Sequence, residues 1–299
     1  MTPDHRFCVA TSCELLPYLM SLPLGLSHKR AKDLIRFRAV AVQRKGRVRH
    51  DTPLEPGDVV TIAVRKQPRE TSLERHGLRI VHLDDAIVVV DKPSGLLSMG
   101  SEHEKERTAY RILNDHLKAS ANSPAHQVFI VHRLDRDTSG LMVFARNQST
   151  QDVLQRNWKK VTKRYLCIVE GTPAKAEGTL KHNLSEGKSL MVHRVDREGD
   201  PAITHYRVLS THRDKSLLEL TLDTGRKNQI RVQLAAIGCP IVGDRKYGAT
   251  TDPARRLALH SCELKFRHPV SGASMEFRSA MPGRLKALIE GRRSRSRSK

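Results

Sequence analysis

The sequence predicts an α+β protein built in two parts, and three observations carry that expectation. Strand-like runs outnumber helix-like ones over most of the chain, without the regular βαβ alternation of a parallel-sheet protein. At 299 residues the chain is long enough to split into two domains, each with its own core. A polar stretch, QPRETSLERHG at 67–77, has the composition of a linker and separates a small N-terminal unit, 1–66, from a larger one, 78–290. The Arg/Ser-rich end, GRRSRSRSK at 291–299, reads as a disordered basic tail.

In the small unit, Ser27 is placed to cap a helix whose Ala31, Leu34 and Ile35 share one buried face. The remaining faces carry His28, Lys29, Arg30, Lys32, Arg36 and Arg38, a basic surface suited to gripping phosphates. Short β runs follow at 40–43 and 47–49 around a Lys45-Gly46 turn, then at 59–64 after the turn sequence EPGD. A basic helix beside a small hairpin is the expected arrangement.

The larger unit opens with strand-like runs at 78–83 and 86–90 around Asp84-Asp85. Further strands are expected at 128–131, 141–145, 165–169, 203–210, 216–222 and 257–266, and helices at 108–118, 148–160 and 227–237. In the last helix Ile230, Leu234 and Ile237 share a face and Gly238 is placed as the C-terminal cap.

Lys and Arg number 53 against 32 Asp and Glu, a formal surplus of 21 positive charges. So large a single-sign excess fits a polyanionic partner, and nucleic acid is the commonest one. With six Phe, five Tyr and one Trp, the chain is poor in rings for stacking a threaded single strand, so a structured nucleic acid is favoured. The most apolar stretch, 15–26, is interrupted by Pro17, Pro23 and Gly25, which argues against a membrane span or a signal peptide. Cys8, Cys13, Cys167, Cys239 and Cys262 are scattered with no C-x-x-C pair, as expected of reduced thiols in a cytoplasmic protein without a structural metal.

Three segments carry chemistry. His132-Arg133-Leu134-Asp135-Arg136-Asp137-Thr138-Ser139-Gly140 lies between two apolar runs, so a charged loop joins two strands and can hold a carboxylate at the edge of a cleft. It misses the spacing of an aspartyl-phosphate loop by one position and lacks the oxygen ligands of a calcium loop; an ordinary polar turn remains open on pattern alone. Thr224 to Leu234, TGRKNQIRVQL, gathers basic groups at a helix start, where backbone N–H groups favour an anion; Arg226 and Arg231 can each grip a carboxylate or phosphate in two-pronged fashion. Residues 240–248, PIVGDRKYG, form a glycine-bracketed loop suited to close packing near a site.

Together these segments resemble the RluA-like family of RNA pseudouridine synthases, over roughly residues 78 to 285. The resemblance rests on VVVDKPSGLL, HRLDRDTSGLMVFARN, KRYLCIVEG and TGRKNQIRVQLAAIGCPIVGDRKYG, in the family's order. The stretch LSHKRAKDLIRFRAVAVQRKGRV with LEPGDVVTI is similar to the small S-four-type RNA-binding module, with Gln43-Arg44-Lys45-Gly46 where its hairpin usually reads V-N-G. The resemblance implies a mixed, mainly antiparallel catalytic sheet and conversion of uridine to pseudouridine without a cofactor. Ribosomal RNA is the expected substrate, transfer RNA the alternative, and a monomer the expected state.

Residue by residue, the resemblance places Asp135 on the catalytic aspartate, Tyr165 on the tyrosine that stacks on the target base and Arg231 on the basic partner of the aspartate. Ile230 falls on the apolar wall and Arg133 on the arginine that helps flip the base; Arg226 and Gln229 fall beside them as substrate contacts. Lys29, Arg30, Lys32, Arg36 and Arg38 are the RNA-binding set of the small unit. Asn228 and Gln233 stand where the family usually has histidines, which bears on local contacts to RNA. Arg231 beside Asp135 is expected to keep that carboxylate's pKa low. His132, Trp158 and Ser139 take structural readings: a strand neighbour facing away, a core ring, and a serine without a partnered histidine. The rival of a different class is a non-catalytic RNA-binding assembly factor on the same scaffold.

Overall fold

The structure, a computed structural model, describes residues 5–36, 39–43, 45–46, 48–62, 72–100, 104–120, 127–187, 191–196 and 198–290. It divides into two compact units, Met1–Arg69 and Glu70–Lys299.

The first unit contains β1 (His5–Cys8), β2 (Cys13–Glu14), α1 (Leu15–Ser21), α2 (His28–Arg36), β3 (Val40–Val42), β4 (Pro53–Leu54) and β5 (Val59–Ile62). Val40 and Val42 alternate inward on β3, as Val60 and Ile62 do on β5, and the two strands pair antiparallel with Val40 opposite Ile62. The expected local hairpin with 47–49 is therefore corrected. Pairing with β5 buries two apolar side chains per strand, whereas 47–49 offers only Val48, and β1 takes the other edge of β5. Leu15, Leu19, Ala31 and Leu54 close this small core.

The second unit runs α3 (Ser72–His76), β6 (Arg79–Leu83), β7 (Ile87–Lys92), α4 (Ala109–Ser120), β8 (Phe129–Ile130), β9 (Ser139–Ala145), α5 (Gln148–Arg156) and β10 (Thr162–Glu170). It continues with β11 (Glu177–Glu186), β12 (Val192–Val195), β13 (Asp200–His212), β14 (Lys215–Leu222), α6 (Gln229–Ala236), β15 (Leu259–Arg267), β16 (Ser274–Arg278) and α7 (Gly283–Glu290). The strands form one mixed sheet in the order β12-β11-β13-β14-β10-β15-β9-β7-β6, with β16 on β15 and β8 on β9. Pairing is antiparallel except where β15 and β9 run parallel. This is the mixed, mainly antiparallel α+β architecture expected.

β7 and β9 lie in the middle of two apolar layers, which is why IVVVDK and SGLMVFA read as unbroken hydrophobic runs. Val88, Val90, Met142 and Phe144 join the layer that contains α4, while Ile87, Val89, Leu141 and Val143 join the layer that contains Leu154 of α5 and Trp158. The expected linker is corrected in its second half: Leu73 of α3 is buried in the core of the larger unit, one apolar anchor in a polar stretch. Strands β11, β12 and β16 and helix α7 were not expected. In β11 only Leu180 and Leu184 are buried, four residues apart, so the alternation that marks a strand is missing.

Candidate active site

The segment 131–138 leaves β8, turns, and enters β9 at Ser139, where β9 lies beside β15. Gly140 has φ +113, and a Cβ there would lie 2.2 Å from the Ser261 carbonyl oxygen, so only glycine lets the two strands meet directly after the loop. The loop backbone is also held from its other side by 92–98. Lys92 is fully buried, and its Nζ donates to the carbonyls of Leu96 (2.7 Å), Pro93 (3.0 Å) and Arg136 (3.0 Å). Ser98 Oγ donates to Leu134 O at 2.6 Å and accepts from Leu134 N at 3.0 Å, and Gly95 N donates to Arg136 O at 2.9 Å. Asp135 is thus carried on a backbone pinned on both sides.

Asp135 lines a narrow cavity of about 70 Å³ together with Arg133, Tyr165, Leu222, Ile230, Arg231 and Leu259. Tyr165 is buried on β10; burial first, and the Asp135 charge second, push its phenol well above the usual range, so it is a neutral hydroxyl. Leu222 ends β14, Ile230 lies in the first turn of α6 and Leu259 opens β15, giving the cavity an apolar wall. Arg133 is exposed on the cavity rim.

Arg231 departs from its expected pairing. Its Nε donates to Asp244 Oδ2 and its Nη2 to Asp244 Oδ1, both at 2.7 Å, and its Nη1 donates to Asn228 Oδ1 at 3.0 Å. The guanidinium also lies over the Tyr247 ring, 5.0 Å from its centre. Arg231 therefore acts on Asp135 through space and not through a fork-to-fork bridge. The expected low pKa is corrected as well: burial raises the Asp135 pKa, and Arg231, then Arg133 and Lys92, oppose it without cancelling it. Burial likewise lowers the Lys92 pKa to about 7.

Gln229 is buried and its polar atoms are engaged by protein. Its Oε1 accepts from Thr224 Oγ1 and Arg226 N, and its Nε2 donates to Ile203 O and Thr204 Oγ1. Gln229 lines the same cavity as Asp135, and these bonds tie the start of α6 onto β13. Arg226 lines the cavity while ion-paired to Asp200 at 3.1 Å. Gln233 is fully buried and bonds Leu180 O, Ala202 O and Thr204, so it stitches β11 to β13. Asn228 is buried with φ +53, bridging Arg231 and the Tyr247 hydroxyl; asparagine is among the few side chains at ease in that left-handed conformation.

His132 accepts from Val143 N through Nε2 and stacks on Trp158 with ring centres 4.3 Å apart; burial lowers its pKa to about 3, so it is neutral packing. Ser139 does have a histidine partner, contrary to the sequence reading: His260 Nδ1 is 2.9 Å from its Oγ, which also accepts from Arg256 Nη2 at 2.7 Å. Both residues are buried, so no substrate reaches the pair and it is structural. Among the small unit's basic residues, Lys29, Lys32 and Arg36 are exposed on α2; Arg38 and the Arg30 side chain lie outside the described residues. Lys32 and Arg36 line a groove with Arg49 and His50. Lys92, Asp244 and Tyr247 are the site residues that sequence reasoning passed over, though the loop holding the last two was singled out for packing.

A pocketed aspartate, a neutral tyrosine and an arginine set beside apolar walls can take in a flat heterocycle and act on it with one carboxylate. The sequence model of the family described as RNA pseudouridylate synthase matches residues 86–236. The chain belongs to the RNA pseudouridylate synthase family. This pseudouridine synthase, an isomerase, is 33% identical over 275 residues to a Bacillus subtilis protein named as an uncharacterised RNA pseudouridine synthase, YjbO, covering 90% of this chain and 96% of that one. It is 30% identical over 320 residues to the ribosomal large subunit pseudouridine synthase D of Haemophilus ducreyi, covering 97% and 95% of the two chains. Among solved structures, Human RNA Pseudouridylate Synthase Domain Containing 4 superposes with a TM-score of 0.58 at 26% identity, over 70% of this chain and 93% of that one. The matched span of the synthase includes Asp135, Tyr165 and Arg231 but ends before Asp244. No described helix is long and apolar enough to cross a membrane.

Proposed function

We propose that this protein isomerises uridines of large-subunit ribosomal RNA, with Asp135 as the catalytic carboxylate and a flipped-out uridine in the cavity between Tyr165 and Ile230. The observation that carries the reading is Asp135 facing that cavity on a loop clamped by Lys92 and Ser98. The reaction breaks the C1′–N1 bond of uridine and rejoins the same uracil through C5, so nothing is oxidised and no second substrate is consumed. Asp135 can attack C1′ or C6, or remove a sugar proton to start elimination; every route needs it ionised, and the nearby Arg231 favours that form. Extracting the base costs a few kcal/mol, and stacking on Tyr165 returns about 1–3 kcal/mol. Arg133, exposed at the rim, is positioned to enter the helix as the base leaves.

The name of the Haemophilus ducreyi relative points to ribosomal RNA. The surplus of 21 positive charges and a small basic unit in front of the catalytic one suit a large structured RNA. The small unit is read as an S-four-like module, and the enzyme as a cytoplasmic monomer. Pseudouridine mapping on unmodified ribosomal and transfer RNA, with wild type and Asp135→Asn, is the test. New pseudouridine in ribosomal RNA with wild type only is expected. Signal confined to transfer RNA overturns the substrate, and full turnover by Asp135→Asn overturns the catalytic assignment.

A further inference from the structure

Arg231 lines two cavities. One contains Asp135; the other, about 510 Å³, is walled by 93–95, Asp137, 243–244, 255–257 and Arg284. Asp135 and Asp137 sit on one loop, each facing one cavity. In the second cavity four guanidinium groups meet two carboxylates, and Asp244 is already neutralised by Arg231. Among the lining residues Arg255, Arg256 and Arg284 are therefore left with Asp137, while Asp252, outside the lining, gives its Oδ1 to the Arg256 backbone N–H at 2.9 Å.

Their geometry fits a bound anion. Arg256 is held rigidly: Nε donates to Leu257 O at 3.1 Å and Nη2 to Ser139 Oγ at 2.7 Å, and Nη1 has no hydrogen-bond partner among the described residues. The wall behind it is close-built, since a Cβ on Gly243, at φ +83, would lie 2.3 Å from the Arg256 carbonyl oxygen. Arg255 and Arg284 are exposed, and neither side chain makes an ion pair or hydrogen bond among the described residues. Arg284 also stands in the first turn of α7, where a cation opposes the helix dipole unless an anion lies beside it.

We propose that this second cavity is a phosphate subsite, taking a backbone phosphate of the RNA strand that flanks the flipped uridine, with Arg256 as the fixed donor and Arg255 and Arg284 closing over it. The inference rests on the RNA synthase reading above. A nucleotide turned into the Asp135 cavity leaves its flanking phosphodiesters at the surface, and the cavity that shares Arg231 is the neighbouring place with unmatched positive charge. An anion held there would fix the register of the strand, so the subsite serves positioning and not bond making.

The test is the double variant Arg255→Asn, Arg284→Gln, with Arg255→Lys, Arg284→Lys as the charge-keeping control, in the full-length protein on ribosomal RNA across a salt series. Pseudouridine formation and RNA affinity are both measured. The double variant is expected to raise the half-saturating RNA concentration roughly ten-fold and to lower the slope of log affinity against log salt by about 0.7 for one lost phosphate contact. Its rate at saturating RNA stays within two-fold, and the lysine control recovers most of the slope. Wild-type activity with unchanged half-saturation and slope in the double variant overturns the subsite and leaves the synthase reading intact. If wild type forms no pseudouridine, the synthase reading fails, and the affinity slope alone then decides the subsite.

Discussion

Arg231 grips Asp244 through Nε and Nη2, and Asp135 receives its influence only through space. The arrangement separates two jobs that a direct Asp135–Arg231 bridge would merge. Asp244 fixes where the positive charge sits, with side-chain exposures of 11% for Arg231 and 1% for Asp244, and the Asp135 carboxylate has no hydrogen bond or ion pair among the described residues.

Removing the charge of Asp244 therefore acts on activity and stability together. Asp244→Asn leaves a buried guanidinium without its partner, and breaking such a pair costs about 3–5 kcal/mol. The freed Arg231 is expected to turn toward Asp135 and occupy the place of the base. Single-turnover rates should fall at least ten-fold while Asp244→Glu recovers part of the loss. A variant with wild-type rate and melting temperature would show that Arg231 needs no anchor.

Gly140→Ala tests the meeting of β9 and β15. The added Cβ would lie 2.2 Å from Ser261 O and 2.7 Å from Ser261 N, on a backbone at φ +113. The backbone conformation alone costs about 1–3 kcal/mol, and the overlap adds to it by forcing the parallel pair apart. Denaturant unfolding should show that loss, and activity should drop further than stability because the Asp135 loop ends at this contact. Unchanged unfolding would mean the strands tolerate separation.

Asp135 itself is expected to be a stability liability. Its pKa in the folded chain is raised above the ordinary 3.8 by burial, so as pH rises the unfolded chain releases this proton first. Stability from this group is full below the ordinary value, falls as pH climbs to the raised one, and stays reduced above it. Asp135→Asn should thus melt higher than wild type at pH 7, with the gain shrinking as pH falls toward 4, while the wild-type rate declines on the acid side above the usual carboxylate range. A variant less stable than wild type at pH 7 would show that the ionised carboxylate is net stabilising.

Much of the fold was legible because its signals are local. The unbroken apolar runs of β7 and β9, the turn at Asp84-Asp85 and the face of α6 are properties of adjacent residues. β11 was not legible, since its buried positions answer to Gln233 and Tyr206 on other elements and leave no period of two in its own sequence. The small unit's β3 looked like half of a hairpin because its true partner, β5, is distant in sequence.

By itself the sequence determined the α+β class, the basic character, and the identity and order of Asp135, Tyr165 and Arg231, since these depend on composition, short periodicity and motif. Only the tertiary structure decided how those residues are held. Lys92 grips a loop 44 residues away, Asp244 claims the arginine expected for Asp135, and Ser139 finds His260 across 121 residues. Such contacts depend on which strands lie side by side. That choice is made by burying β7, β9, β10 and β15 in one sheet, where summed apolar burial outweighs any single local preference.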